Sequence, residues 1–547
     1  MATVANYIVH RLRECGVDHL FGLPATSCAS LFDAADAGGL ETIITSGELE
    51  AGYAADGYAR KRGLSAVSVS YGVGMLSMAN AVAGAFVERS PMLVLNGGPT
   101  KACLENERQL GVLFQHSTGR LHTDLNIFRQ ISYFASRLDE TRTAAETIDA
   151  AIAQAIRYQR PCYLEVDQDL WTAPLSPPKA KLYRLPREAA DPASSVKRTL
   201  SLIGAAKAPA VLLGVEVERY GLQATALELL DRLGVPYATT ALAKSVLPEC
   251  QAGFSGVYDG DWAAKTAKTA IEEADVLLCL GVVFGIDHRK MVEKQADRMI
   301  RLYNDRIRFG RGDEKPCDLG GFLECLAQSV RCGNLVHTRT IDNHTTECDA
   351  SNSSDQTTIT HDLLFRIVDT ILDRDVHFLM DTCLGSWLGA SLRVRALSAF
   401  TSNPVWLSIG HSVGAAIGVG VATHQRTLII CGDGGLQSIP QALSTMAKLR
   451  LPVLTIVIDN GSYAIEQFLI EPGYFTGPSK RMLDYVKLNP WDYEMLARSM
   501  GFARALTVRT PAELERELAA LGSWSEPTLI RVIVPSSDLP ARIRASI

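Results

Sequence analysis

Two turns that follow apolar runs carry the residues with the clearest chemistry. Thr427–Cys431 runs into Gly432-Asp433-Gly434-Gly435, and a second apolar run, Val453–Asp459, ends in Asn460-Gly461, 27 residues beyond Asp433. An Asp carboxylate, an Asn amide oxygen and a backbone carbonyl from the loop after Asn460 form a hard oxygen set. Magnesium takes such groups singly or in pairs and completes its shell with waters and phosphate oxygens. The glycines around Asp433 let backbone approach a phosphate closely, and the following helix, predicted from about Ile439 to Leu449, offers it a positive end. The direct reading is a magnesium-bound diphosphate. A plain glycine-rich strand-to-helix turn would explain GDGG alone, but not a second oxygen ligand at the end of the next strand.

A second group lies near the amino terminus. Glu48 and Glu50 open a stretch of small residues at helical spacing that runs to Arg60. Taken alone it reads as a surface helix with acids in its first turn, where they suit the positive helix end. Tyr71-Gly-Val-Gly-Met-Leu-Ser follows the apolar run Ala66–Ser70 and invites comparison with a dinucleotide fingerprint. Ser77 stands at the third glycine position and no acid ends the run Met92–Asn96, which argues against a nicotinamide site.

These turns need a parallel sheet to bring them to one edge. Short β-branched runs alternate with helical patterns throughout, at Ala66–Ser70, Met92–Leu95, Ala210–Leu213, Val276–Leu280, Thr427–Cys431 and Val453–Asp459, the signature of α/β folds. In a parallel βαβ unit successive turns share the carboxyl edge of the sheet, so Asp433 and Asn460 should face one crevice. A proline-rich stretch, Pro174–Pro192, and a polar one, about His337–Gln356, read as connections. They divide the 547 residues into domains over 1–175, 195–335 and 357–547. Balanced charge, 54 Lys+Arg against 60 Asp+Glu, gives no basic stripe for nucleic acid. The 12 cysteines form no CxxC pair, and Cys317, Cys325 and Cys332 fit no common zinc spacing, so reduced thiols in a cytoplasmic protein are expected. No apolar stretch approaches the roughly 20 residues that span a bilayer, so no membrane partner is expected.

GDGG, the spacing to Asn460 and the following Gly-Ser-Tyr-Ala-Ile-Glu resemble the diphosphate-binding motif of thiamine-diphosphate-dependent enzymes. The resemblance runs along nearly the whole chain and implies an α/β fold of three domains with parallel sheets flanked by helices: pyrimidine-binding, middle and diphosphate-binding. It implies magnesium on Asp433, Asn460 and the Ser462 carbonyl, with Gly432, Gly434, Gly435, Tyr463, Ala464 and Ile465 around the cofactor. Trp406-Leu-Ser-Ile-Gly-His-Ser-Val-Gly-Ala-Ala resembles the stretch that bends the cofactor, which makes Ile409 the apolar wedge and the Leu407 carbonyl an acceptor for the aminopyrimidine. Glu-Leu-Glu-Ala-Gly-Tyr-Ala-Ala-Asp-Gly-Tyr-Ala-Arg resembles the segment carrying the catalytic glutamate of the decarboxylases. Glu48 matches its position, reached across a subunit interface, so a homodimer or homotetramer is implied; Glu50 reads as a solvated or structural neighbour. Gly72 and Gly74 would let backbone pass near the cofactor.

Within that superfamily the chain is most similar to the pyruvate and indolepyruvate decarboxylase group, implying a small-molecule 2-oxo acid substrate, whether pyruvate, a branched or an aromatic one. Where that group has an Asp and a His-His pair, this chain has Thr26, then Gln115 and His116, while Glu466 is retained. A hydroxyl and an amide do not shuttle protons near neutral pH as Asp and His do. His116 and Glu466 could still handle the substrate carboxylate and a proton. Two outcomes follow: release of an aldehyde, or carboligation to a hydroxyketone, as in acyloin or acetohydroxy acid synthases, when protonation is slow. His122 and His411 read as structural, and Phe468, Tyr474 and Phe475 as either a substrate wall or domain packing.

Overall fold

A computed structural model describes residues 2–186, 191–330, 357–373, 375–478 and 480–545. The polar stretch His337–Gln356 lies outside the described residues. In the proline-rich stretch, apart from a bridge between Thr3 and Pro174, the described residues form neither helix nor strand before Ala193.

The chain forms two compact units. The first comprises Met1–Leu185 with Val413–His424 and Ile439–Leu451; the second comprises Pro186–Ser412, Gln425–Ser438 and Pro452–Ile547. In the first unit six parallel strands, β1 (His19–Gly22), β2 (Glu41–Ile44), β3 (Ser65–Ser70), β4 (Met92–Gly98), β5 (Phe134–Leu138) and β6 (Cys162–Asp167), form a sheet in the order β2-β1-β3-β4-β6-β5. Its central strands are buried along almost their whole length, as expected of strands covered by helices on both faces.

The second unit holds two sheets. The first contains β7 (Pro209–Leu213), β8 (Tyr237–Thr240), β9 (Phe254–Tyr258), β10 (Val276–Leu280), β11 (Met299–Tyr303), β12 (Arg306–Phe309) and β13 (Lys315–Pro316), in the order β13-β12-β11-β10-β7-β8-β9, with only β12 and β13 antiparallel to their neighbours. The second contains β14 (Val376–Met380), β15 (Phe400–Ser402), β16 (Arg426–Gly432), β17 (Val453–Asp459), β18 (Arg504–Val508) and β19 (Thr528–Ile533), all parallel, in the order β15-β14-β16-β17-β19-β18. Counted from its own first strand, this order repeats that of the amino-terminal sheet.

One expectation is corrected. The helix predicted from about Ile439 to Leu449 spans Ala442–Lys448, and a separate helix that was not predicted, Asp433–Ser438, precedes it. Pro440 separates them, because its nitrogen has no proton to donate and its ring would clash with a carbonyl one turn back. The earlier helix starts at Asp433 itself, directly on the end of β16. In the first unit, the small residues after Glu48 permit close helix packing: a Cβ on Gly57 would run into the Ala415 carbonyl of the His411–Thr423 helix.

Candidate active site

In the second unit the order β15-β14-β16-β17 makes β14 and β16 neighbours although the chain first adds β15 on the other side of β14 before returning. Ligands of open α/β sheets bind at such switch points, beyond the carboxyl ends of the strands. A cavity opens there, lined by Thr382, Cys383 and Leu384 after β14, Gly432, Asp433, Gly434 and Gly435 after β16, and Ile458, Asn460, Ser462, Tyr463, Ala464 and Ile465 at and after β17, together with Ile409 and His361. The expected cofactor residues of this unit thus converge on one cavity; Leu407 alone stands outside its lining, exposed on the turn that leads to Ile409.

Asp433 is buried. Its Oδ1 accepts the Gly434 N–H at 2.9 Å and its Oδ2 accepts the N–H groups of Asn460 and Gly461 at 3.1 and 2.7 Å, so one carboxylate ties the β16 turn to the β17 turn. Burial, with the nearby Asp459 charge adding to it, pushes the Asp433 carboxyl up to about 7. Asp459 is paired with Arg531 at 2.5 Å, and among the described residues no cation pairs with Asp433. The Asn460 amide oxygen accepts the Ser462 N–H at 3.1 Å and its hydroxyl at 3.2 Å, closing the turn that presents the Ser462 carbonyl.

The residues fit a metal-bound diphosphate. A divalent cation would relieve the unpaired buried acid, and carboxylate, amide and carbonyl oxygens are the donors magnesium prefers. The floor is shaped for close approach: a Cβ on Gly434 would strike the Tyr463 ring, and one on Gly435 would lie 2.5 Å from Asp381 Oδ2. Among the described residues no three His, Cys, Asp or Glu side chains gather as a metal cluster.

His361, Thr382, Cys383 and Leu384 in the cavity's lining were not singled out from sequence. His361 is buried and fixed by Asp538, which accepts its backbone N–H at 2.7 Å and lies 2.6 Å from its Nδ1. Thr382 follows Asp381 at the end of β14. The apolar run His377–Met380 before Asp381 was the available signal, read with the same strand-end logic as Asp433. Glu466, in the helix Ala464–Ile470, is exposed and does not line the cavity. Phe468, Tyr474 and Phe475 are buried in a cluster with Leu384, Leu539 and Ile543 and are not part of the cavity's lining.

In the first unit Thr26, Glu48 and Gly72 follow the carboxyl ends of the adjacent strands β1, β2 and β3. Glu48 is the first residue of the helix Glu48–Arg62, and its Cγ lies 3.6 Å from the place a Gly74 Cβ would take. Gly72 has φ +62° and donates its N–H to Asp124 at 2.7 Å; a Cβ there would lie 2.7 Å from His116 Cβ. Glycine is thus required by conformation and by the close passage of His116. His116 itself has φ +64°, and its ring stands 5.7 Å from that of Tyr71. Gln115 beside it is exposed, and so is Thr26, which no hydrogen bond ties to this group among the described residues. His122 lies 3.6 Å from Glu165, and His411 is buried at the start of its helix.

Glu50 is not solvated. It is fully buried, accepts the Ser46 N–H at 3.3 Å, and takes a hydrogen bond from the Thr445 hydroxyl. Burial pushes its carboxyl from 4.5 up to about 7, against the pull of those two donors. Below its ordinary value the group is protonated in both folded and unfolded chains. As the pH rises from there to about 7, only the unfolded chain releases the proton, so stability falls, and the whole penalty is present above that range. Glu50→Gln should therefore be more stable than the parent at about pH 8, by up to about 3 kcal/mol, with the difference shrinking toward about pH 5. Chemical unfolding at the two pH values checks this; a difference independent of pH would remove the buried acid as its source.

Comparison with known proteins agrees with this architecture. Residues 2–119 match the thiamine pyrophosphate enzyme N-terminal TPP binding domain, residues 196–322 the central domain and residues 382–532 the C-terminal TPP binding domain. The chain belongs to the thiamine pyrophosphate enzyme family. It is 30% identical to an alpha-keto-acid decarboxylase of Mycobacterium avium over 549 residues, covering 98% of this chain and 95% of the relative. It is 29% identical to the protein of the same description from Mycobacterium leprae, over 99% and 95% of the two chains. A solved structure described as that of a candidate thiamin diphosphate-dependent enzyme from Mycobacterium smegmatis shares the fold, with a TM-score of 0.75 at 19% identity over 98% of this chain and 100% of that one. No helix among the described residues is long and apolar enough to cross a membrane.

Proposed function

We propose that this chain is a magnesium- and thiamine-diphosphate-dependent, non-oxidative decarboxylase that converts a 2-oxo acid to an aldehyde and carbon dioxide. The observation that carries the reading is the buried, cation-free Asp433 carboxylate set beside Asn460 above a floor of glycines. Relatives described as alpha-keto-acid decarboxylases, similar along the whole chain, support the reaction class. When bound, thiamine diphosphate supplies the electron sink for the pair left behind as carbon dioxide departs. The chain's own residues bind, orient and move protons. Asp433, Asn460 and the Ser462 carbonyl would hold magnesium, and Gly432, Gly434 and Gly435, with Tyr463, Ala464 and Ile465, would enclose the diphosphate. Ile409 and the Leu407 carbonyl would orient the organic half, with Gly72 beside it. Glu48 would exchange a proton with the aminopyrimidine ring, supplied by a second copy of the chain in a homodimer or homotetramer.

Forming the aldehyde consumes one proton, which His116 and Glu466 would deliver while receiving the substrate carboxylate. Thr26 and Gln115 cannot titrate near neutral pH. That gap favours a second reading, carboligation to a hydroxyketone, whenever a second carbonyl arrives before the proton. Carbon dioxide release should be measured over linear, branched and aromatic 2-oxo acids, with and without magnesium and cofactor, and products weighed by mass spectrometry. Cofactor-dependent release with an aldehyde is the expected result; a condensed hydroxyketone would establish the second reading, and no release from any acid by cofactor-loaded protein would overturn both.

A further inference from the structure

We propose that Asp381 is a positioning residue for the cofactor: by accepting the N–H groups of Gly410 and Ser412 it holds the Leu407–Ile409 turn in its binding shape. The inference rests on the function proposed above, which gives that turn the organic half of the cofactor. It begins from the chain path. Asp381 follows the last residue of β14, and its own N–H donates to the Ile430 carbonyl of β16 at 2.9 Å, so its backbone is anchored to the strand that ends in Gly432. Its side chain, 1% exposed, turns to the other segment: Oδ2 accepts the Gly410 N–H at 2.9 Å and Oδ1 accepts the Ser412 N–H at 3.1 Å. The Ser412 hydroxyl returns the contact by donating to the Met380 carbonyl at 2.9 Å. Three hydrogen bonds thus fasten residues 410–412 to the end of β14.

The turn needs fastening. Leu407 has φ +61°, a conformation that leucine seldom adopts, and it is 42% exposed, so burial does not hold it there. At its amino side the Asn403 carbonyl accepts the Leu407 N–H at 2.9 Å and the Asn403 side chain accepts the Ser408 N–H at 2.7 Å. Asp381 is the matching clamp on the carboxyl side, and Ile409 lies between the clamps, in the lining of the cavity. A buried carboxylate without a cation is unfavourable unless its hydrogen bonds are needed, and among the described residues no Lys or Arg pairs with this one. Burial raises the Asp381 carboxyl to about 6 while the Gly410 and Ser412 donors oppose the rise. The same Oδ2 occupies the space beside Gly435, so the clamp and the glycine floor are built against each other.

The test uses the full-length protein carrying Asp381→Asn, which keeps the shape but replaces one acceptor oxygen by a donor. Hydrogen–deuterium exchange of the cofactor-free protein should accelerate about 10-fold or more in the peptide covering 406–412, with the β14 peptide unchanged. With magnesium present, the Kd for thiamine diphosphate should rise about 10- to 100-fold while that for inorganic diphosphate stays within about two-fold. Ser412→Ala, which removes only the hydroxyl contact to Met380, should move both readouts the same way by a smaller factor and keeps the proposal testable if the Asn variant does not fold. Unchanged exchange and affinity in both variants would overturn the positioning role. An equal loss of affinity for both ligands would overturn it too, by placing the effect on the glycine floor. Failure of the parent protein to bind thiamine diphosphate would instead remove the functional reading beneath it.

Discussion

Asp433→Ala is expected to lose magnesium-dependent retention of thiamine diphosphate, with affinity falling by about 100-fold or more. The substitution removes a buried carboxylate of the cavity that no cation pairs among the described residues, and the charge that a divalent ion would find there. It also leaves the N–H groups of Gly434, Asn460 and Gly461 without their acceptor, so the turn that presents Asn460 and Ser462 loses its tie to β16. Both losses fall on cofactor binding. Titration calorimetry of the parent and variant, with magnesium and with chelator, separates them: the parent should bind far more tightly with the metal, and the variant should show little difference between the two conditions. Asp433→Asn sharpens the reading, because an amide can keep one of the backbone hydrogen bonds while giving up the charge. An alanine variant that binds the cofactor as tightly as the parent, and with the same dependence on magnesium, would remove Asp433 from the site.

The sequence made this part legible because its chemistry is local. GDGG and Asn460 stand at the ends of two adjacent apolar strands, and strand ends in a parallel sheet share an edge by topology. Asp433 and Asn460 could therefore be placed in one crevice before any contact was known, while Ile409 and Tyr463 were placed beside them only by the family resemblance. Asp381 was not read, although β14 is the neighbour of β16, because the run His377–Met380 ends in no glycine and its acid works on backbone amides some 30 positions away in sequence. Whether Glu50 was solvated or structural could not be told, for a different reason. In the helix Glu48–Arg62 every residue from Glu50 to Arg60 is buried, so the helical period that normally separates a wet face from a dry one carries no information there. The helix Asp433–Ser438 was not read, because Gly434 and Gly435 in its first turn are poor helix formers. The burial of Phe468 and Tyr474 depends on Leu539 and Ile543, and on Trp262 packing from the turn after β9, partners that no local pattern names.

Glu48→Gln should leave cofactor affinity within a few-fold of the parent and lower kcat by about 100- to 10,000-fold, the range for loss of a positioned acid–base group. The two carboxylates at the start of this helix make the prediction discriminating. By environment alone Glu50 is the better proton holder, since it is buried and retains its proton up to about 7. Its carboxyl, however, is spent on Ser46 and Thr445, and residues two apart on a helix point to nearly opposite sides, so it cannot stand in for Glu48 at a common ligand. Glu48 is only partly buried, at the first helical position, beside the Gly72–Gly74 turn that His116 crosses. Glutamine matches glutamate in shape and keeps one acceptor oxygen but has no titratable proton, so an effect on kcat without one on affinity isolates the proton from the shape. Glu50→Gln, measured alongside, should keep kcat within a few-fold while changing the pH dependence of stability. Undiminished turnover in Glu48→Gln together with a collapse in Glu50→Gln would reverse the assignment and place the proton transfer on the buried acid.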